Sequence, residues 1–218
     1  MATQTSGRAQ MLAGRYRVER LLDDTAGARS WHGFDDVLQR PVFIQTIDAN
    51  DARAEQFVTA ARKASTIDDP RFLRVLDIGT DGVSYLVREW TPGRDLCTLL
   101  ADGPFHTQHA TAIGREVADA MASAHAQQLF HRHLVPTLIF LTAEGSIKIA
   151  GLETEAVLHG PTEVYRDGSD APLSDPVGLD AAGVGGVLYA CLTAHWPTTV
   201  SGGLAPAPRI DGKLPSAR

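Results

Sequence analysis

His125, His131 and His133 lie close together in the chain, and the last two, one residue apart, are a pattern that can hold zinc. No acid or thiol stands near enough in sequence to complete a metal site, so no metal is expected and His131 reads as a packed loop residue. Glu153 and Glu155 form a second group, a pair of carboxylates that could serve a lyase-type or nucleotidyl reaction. Chemistry on phosphates needs cations placed around them, and nothing beside these glutamates supplies any. Cys97 and Cys191 sit in Asp-Leu-Cys-Thr-Leu-Leu and Leu-Tyr-Ala-Cys-Leu-Thr, contexts of buried helix positions. Both are expected to be reduced core thiols.

The elements that must position these groups follow from periodicity. Residues 16–22 alternate as a strand, 23–34 form a turn and a short strand, and 40–47 are rich in β-branched and aromatic residues. A helix capped by Asn50 or Asp51 is predicted to run to 67, where Asp-Asp-Pro stops it. Strands at 74–78 and 83–90, joined by Gly79-Thr-Asp-Gly82, complete about five strands and one helix. After Thr91-Pro-Gly93 the pattern turns helical, with a short helix at 95–101 and a long one at 106–128 whose Ala110, Ile113, Val117, Ala120, Met121 and Ala124 share a stripe. A hairpin at 139–149 follows, then an irregular stretch at 151–179, an apolar helix at 180–193 and an extended or disordered tail at 198–218.

Composition narrows the function classes. A chain of 218 residues with 44% hydrophobic and 21% charged content belongs with globular proteins. Its net charge of -6 gives no electrostatic reason to bind nucleic acid. Residues 1–10 contain no apolar stretch of a signal peptide, and the apolar run at 181–192 is well short of the roughly 20 residues needed to cross a bilayer. A cytoplasmic location is expected, with any membrane association made through a partner.

The order of strands, helix, hinge, long helix, loop, hairpin and apolar helix resembles a bilobal protein kinase over residues 14–197, an α+β fold. Phe130-His-Arg-His133 followed by Pro136 resembles the catalytic-loop motif H-R-D-x-K-P-x-x-N, and 180–197 resembles the helix after the activation segment of bacterial Ser/Thr kinases. The resemblance implies residues 1–13 as a flexible N-terminus, 14–90 as a five-stranded antiparallel N-lobe and 91–197 as a C-lobe truncated at its C-terminal end. It also maps departures. The glycine-rich loop falls on Asp23, Thr25 and Ala28, the third-strand lysine on Gln45 and its helix-borne glutamate on Ala60. The catalytic aspartate falls on His133, the lysine after it on Val135, the metal-binding asparagine on Leu138, the D-F-G triplet on Gly151-Leu-Glu153 and the gatekeeper on Arg88. Phosphoryl transfer rests on charge placed around phosphates and metal ions. The expectation is therefore a pseudokinase, not an enzyme, with no cofactor. What the resemblance retains is structural: Asp180, expected buried and hydrogen-bonded beneath the catalytic loop, with His131 and Arg132. For Arg88 a one-residue slip onto the solvated strand face stays open.

Within the family the chain is most similar to actinobacterial pseudokinases associated with the flippase of the peptidoglycan precursor lipid II. The features are Gly151-Leu152, the segment Asp-Pro-Arg-Phe-Leu-Arg-Val-Leu-Asp at 69–77 and the ending Leu-Tyr-Ala-Cys-Leu-Thr-Ala-His-Trp-Pro. That similarity implies a regulatory scaffold in cell-wall control, phosphorylated by an active Ser/Thr kinase and read by a forkhead-associated domain, with Thr198 and Thr199 as candidate phosphosites. A nucleotide-binding switch and an enzyme of different chemistry on the kinase fold are the alternatives. Pro161-Thr-Glu163 is a weak echo of the A-P-E motif. The helix 180–193, apolar nearly all round, is expected to need a covering partner or a second copy of the chain.

Overall fold

The computed structural model describes residues 10–161, 174–198, 203–209 and 214–215. Thr162, Glu163 and Thr199, named above, lie outside them. The chain forms two compact units: one runs up to Ser65 and adds Arg74–Trp90, the other is Thr66–Leu73 with Thr91 onward.

The first unit is an antiparallel sheet of β1 (Gln10–Leu12), β2 (Tyr16–Thr25), β3 (Ala28–Asp35), β4 (Arg40–Asp48), β5 (Val75–Asp81) and β6 (Val83–Glu89), with helix α1 (Ala54–Ala64). The strand order is β1-β2-β3-β4-β6-β5. The five strands expected within 14–90 are all present, as β2 to β6, and β1 adds a sixth inside the stretch 1–13 expected to be flexible. β1 covers only part of β2, and its Leu12 is buried. Its 3 residues, Gln-Met-Leu, include no β-branched or aromatic side chain, so composition does not mark them as a strand. Along β4, Val42 and Ile44 join Tyr16, Tyr85 and Val87 in one apolar cluster, so Phe43 and Gln45 face the other way. The helix is shorter than predicted because Asp51 accepts the backbone N–H of Arg53 and holds its guanidinium, which keeps 51–53 in a turn.

The second unit contains β7 (Arg94–Asp95), α2 (Leu96–Leu100), α3 (Thr107–Ala126), a 3-10 turn (Pro136–Leu138), β8 (Ile139–Leu141), β9 (Ile147–Ile149), α4 (Glu155–His159) and α5 (Pro176–Thr193). Asp95 caps α2 by accepting the N–H of Thr98 at 2.9 Å. β7 joins β8 and β9 in a small sheet, where Gly93 is required because a Cβ there would lie 2.7 Å from the Leu141 carbonyl oxygen. The predicted α3 stripe, Ala110, Ile113, Val117, Ala120, Met121 and Ala124, is the buried face of that helix. α5 starts earlier than predicted, at a cap where Asp175 accepts the N–H of Gly178 with Pro176 in the first turn. By length and composition α5 could also cross a membrane, with a mean hydropathy of 1.3, but in this fold it packs on α3, Gly114 against Leu188. The stretch expected to be irregular contains α4. Within the expected tail, residues 203–209 run extended and are pinned: Trp196 donates its N–H to Ala205 and accepts that of Ala207, and Leu204 is buried in the core.

Candidate functional site

In the first unit the site is a sheet face. Opposite residues in an antiparallel ladder share a face, and the register sets Phe43 against both His32 and Arg88, and Gln45 against both Ser30 and Leu86. Arg88, 2% exposed, is therefore turned inward beside Gln45, and the one-residue slip is excluded. Its Nη1 donates to Gln45 Oε1 at 2.9 Å, so the amide at the third-strand position holds a buried guanidinium. On the same face His32 meets Trp90 edge-on with ring centroids 4.6 Å apart, and its Nδ1 lies 3.1 Å from Glu19. Ala60, on α1, is buried.

The β2–β3 hairpin carries the positions of the expected loop. Asp23 and Thr25 are exposed and Ala28 is buried. Pairing continues to Thr25 and Ala28, closed by Ala26 and Gly27 with φ of 53° and 80°, the conformation of a two-residue hairpin turn. Arg53 Nη2 donates to the Ala26 carbonyl at 2.6 Å, tying the tip of the hairpin to the start of α1.

In the second unit Asp180 organises the loop after α3. Fully buried, it accepts the backbone N–H groups of His131 (2.9 Å) and Arg132 (2.5 Å), and His125 Nε2 lies 2.8 Å from it. Arg132 and Glu153 both have left-handed backbones, φ 58° and 62°, and they meet through Arg132 Nη2 and Glu153 Oε2 at 3.2 Å. Glu153 also accepts the N–H of Phe130 at 2.8 Å and is 4% exposed, so it serves the loop's structure. Glu155 pairs with His159 at 3.3 Å.

His133, half-buried, donates from Nδ1 to the Gly160 carbonyl at 2.7 Å. Leu138 packs against the apolar core while its carbonyl accepts the N–H of Ala150. Gly151 has φ 88°, and its carbonyl accepts the N–H groups of Thr154 and Glu155. Val135 is buried. Among the described residues no group of three His, Cys, Asp or Glu side chains is placed to hold a metal ion. Burial pushes the Cys191 thiol, in the core, up to about 12, and raises that of Cys97, which is only partly buried against the core.

Sequence reasoning missed His125 as a partner of Asp180, 55 residues away, and the bonds of Glu153 to Phe130 and Arg132. No local pattern signals either, since each pairing joins residues at least 21 apart in the chain.

Residues 29–171 match the protein tyrosine and serine/threonine kinase family. The chain belongs to the protein kinase family. It is 30% identical to the serine/threonine-protein kinase PknL of Mycobacterium tuberculosis over 95% of its own length and 56% of that protein. To PrkC of Bacillus subtilis it is 28% identical over 72% of its length and 25% of the relative's. It thus spans little more than half of PknL and less of PrkC. Each of these relatives is named a serine/threonine-protein kinase, and this overturns the expectation that the chain is not an enzyme. Any phosphoryl transfer in this kinase-family chain must use groups other than a lysine at position 45, an aspartate at 133, an asparagine at 138 or an aspartate at 151.

Proposed function

We propose that this kinase-family chain acts as a regulatory, protein-binding domain in the control of cell-wall synthesis. It is phosphorylated by a Ser/Thr kinase, read by a forkhead-associated domain and located at the cytoplasmic face through such partners. The carrying observation is a division between the two kinds of kinase residue. Asp180 and its bonds to His131 and Arg132 support the loop as in a kinase, whereas the positions that would meet phosphate and metal hold Gln45, Leu138 and Gly151 in structural contacts. Thr198 is among the described residues and is a candidate for modification, and α5 offers exposed Val177, Ala181 and Gly185 to a partner or a second copy.

A second reading rests on the names of the relatives and on Arg88. The guanidinium bonded to Gln45 puts a cation beside the third-strand position, a relocated charge that could serve phosphoryl transfer.

One experiment separates the two. The purified chain is incubated with labelled ATP, magnesium or manganese and a Ser/Thr substrate, and in parallel with a forkhead-associated protein before and after phosphorylation by an active kinase. Capture that depends on phosphorylation supports the regulatory reading, and failure to bind in both states sinks it. Labelled substrate that disappears in Arg88→Met establishes the second.

A further inference from the structure

The loop after α3 holds a histidine whose ring nitrogens are both committed. His131 is 0% exposed. Its Nε2 lies 2.7 Å from the Ala150 carbonyl, which can only accept, and its Nδ1 lies 3.3 Å from the backbone N–H of His133, which can only donate. Only the neutral imidazole, with its proton on Nε2, satisfies both partners. A second proton on Nδ1 would set N–H against N–H out of reach of water, so 131–133 must move for the ring to charge.

That movement has an outlet. His133 ties the loop to Gly160, at the end of α4, and its ring lies 5.9 Å from that of His159, which pairs with Glu155. The charged and titratable groups facing His131 are Asp180 from α5, Glu155 from α4 and His133 beside it. Those facing His133 are Glu155 and His159, both from α4. The carboxylates favour a charged ring, but burial is the larger influence and holds both histidines below their ordinary range.

We propose that this loop is a proton-triggered release, in which acidification drives His131 from its neutral seat, unties His133 from Gly160 and frees α4. The linkage has a definite sign. Below 6.5, the ordinary value for histidine, the unfolded chain binds protons that the folded chain does not. Stability therefore rises with pH and falls as pH drops, by up to about tenfold in the folding equilibrium per pH unit for each histidine, until the folded rings charge.

The test follows the histidine rings by NMR and the amide protection factors of the full chain from about pH 8 to about pH 5. His131 is expected to stay neutral below the ordinary 6.5, while protection at 131–133 and 155–160 falls at least severalfold more than in α3. His131→Gln, whose amide can donate toward Ala150 without titrating, is expected to flatten that dependence. If that variant does not fold, the wild-type rings and amides decide alone. A His131 that charges at or above the ordinary 6.5, or protection factors that stay constant across the range, would overturn the proposal.

Discussion

Asp180 accepts the backbone N–H groups of both His131 and Arg132 while fully buried, and the left-handed turn at Arg132 (φ 58°) is what aims the two donors at one carboxylate. Asp180→Ala leaves those donors without an acceptor and is expected to cost about 2–4 kcal/mol. Asp180→Asn keeps the shape but turns one acceptor into a donor, and should fall between wild type and alanine. Urea unfolding measures both. A loss below about 0.5 kcal/mol for the alanine variant would contradict the role given to this carboxylate.

Gln45 and Arg88 make a buried pair whose members are unequal. Removing the amide, as in Gln45→Met, takes a partner from a buried guanidinium and should cost about 1–3 kcal/mol. Adding Arg88→Met removes the charge itself, so the double variant is expected to recover part of that loss. A double-mutant cycle by denaturation checks the coupling, and additive losses would show that the pair is not coupled.

Restoring an aspartate at 151 will not rebuild a metal site by itself. Gly151 has φ 88°, and a Cβ there would lie 2.2 Å from Glu155 Cγ. Gly151→Asp and Gly151→Ala are both expected to destabilise by about 1–3 kcal/mol, with no gain in magnesium affinity for the aspartate. Thermal unfolding with and without magnesium reads both effects.

Asp35 is held down to about 2, first by the Arg15 guanidinium and then by the N–H groups of Leu38 and Val37. Its folded value lies below the ordinary 3.8, so its stabilisation is present above that pH and is lost as pH falls toward about 2. Acid unfolding of Asp35→Asn should show a shallower limb between these values. An unchanged limb would assign the acid sensitivity to other carboxylates.

The extended segment at 203–209 closes the second unit over Trp196. Leu204 is buried in the same core as Trp196, itself 1% exposed. Leu204→Ala is expected to cost about 2 kcal/mol and to shift Trp196 emission to the red. Trp196→Phe in the same background identifies which tryptophan moves.

Much of the fold was legible in local pattern. The alternation at 40–47 announced β4, the six-position stripe announced the buried face of α3, and 180–193 announced most of α5. β1 escaped because Gln10–Leu12 holds no β-branched or aromatic residue, unlike the equally short β8 and β9, and α4 because its 5 residues stand in a stretch rich in Pro, Gly and Asp. At the site, the residue types at 45, 133, 138 and 151 were legible, but not what each does. Leu138 became core, Gly151 a left-handed turn and His133 a tether to Gly160 only in three dimensions.

The sequence by itself determined which elements form in which order and which side chains stand at the kinase-family positions, because periodicity and motif spacing are properties of neighbours along the chain. Only the tertiary structure decided that Arg88 turns inward to Gln45, that Glu153 locks Arg132, and that His125 joins the loop on Asp180. Buried polar groups take their partners wherever folding brings a matching donor or acceptor, and for Asp180 that was 48 to 55 residues away.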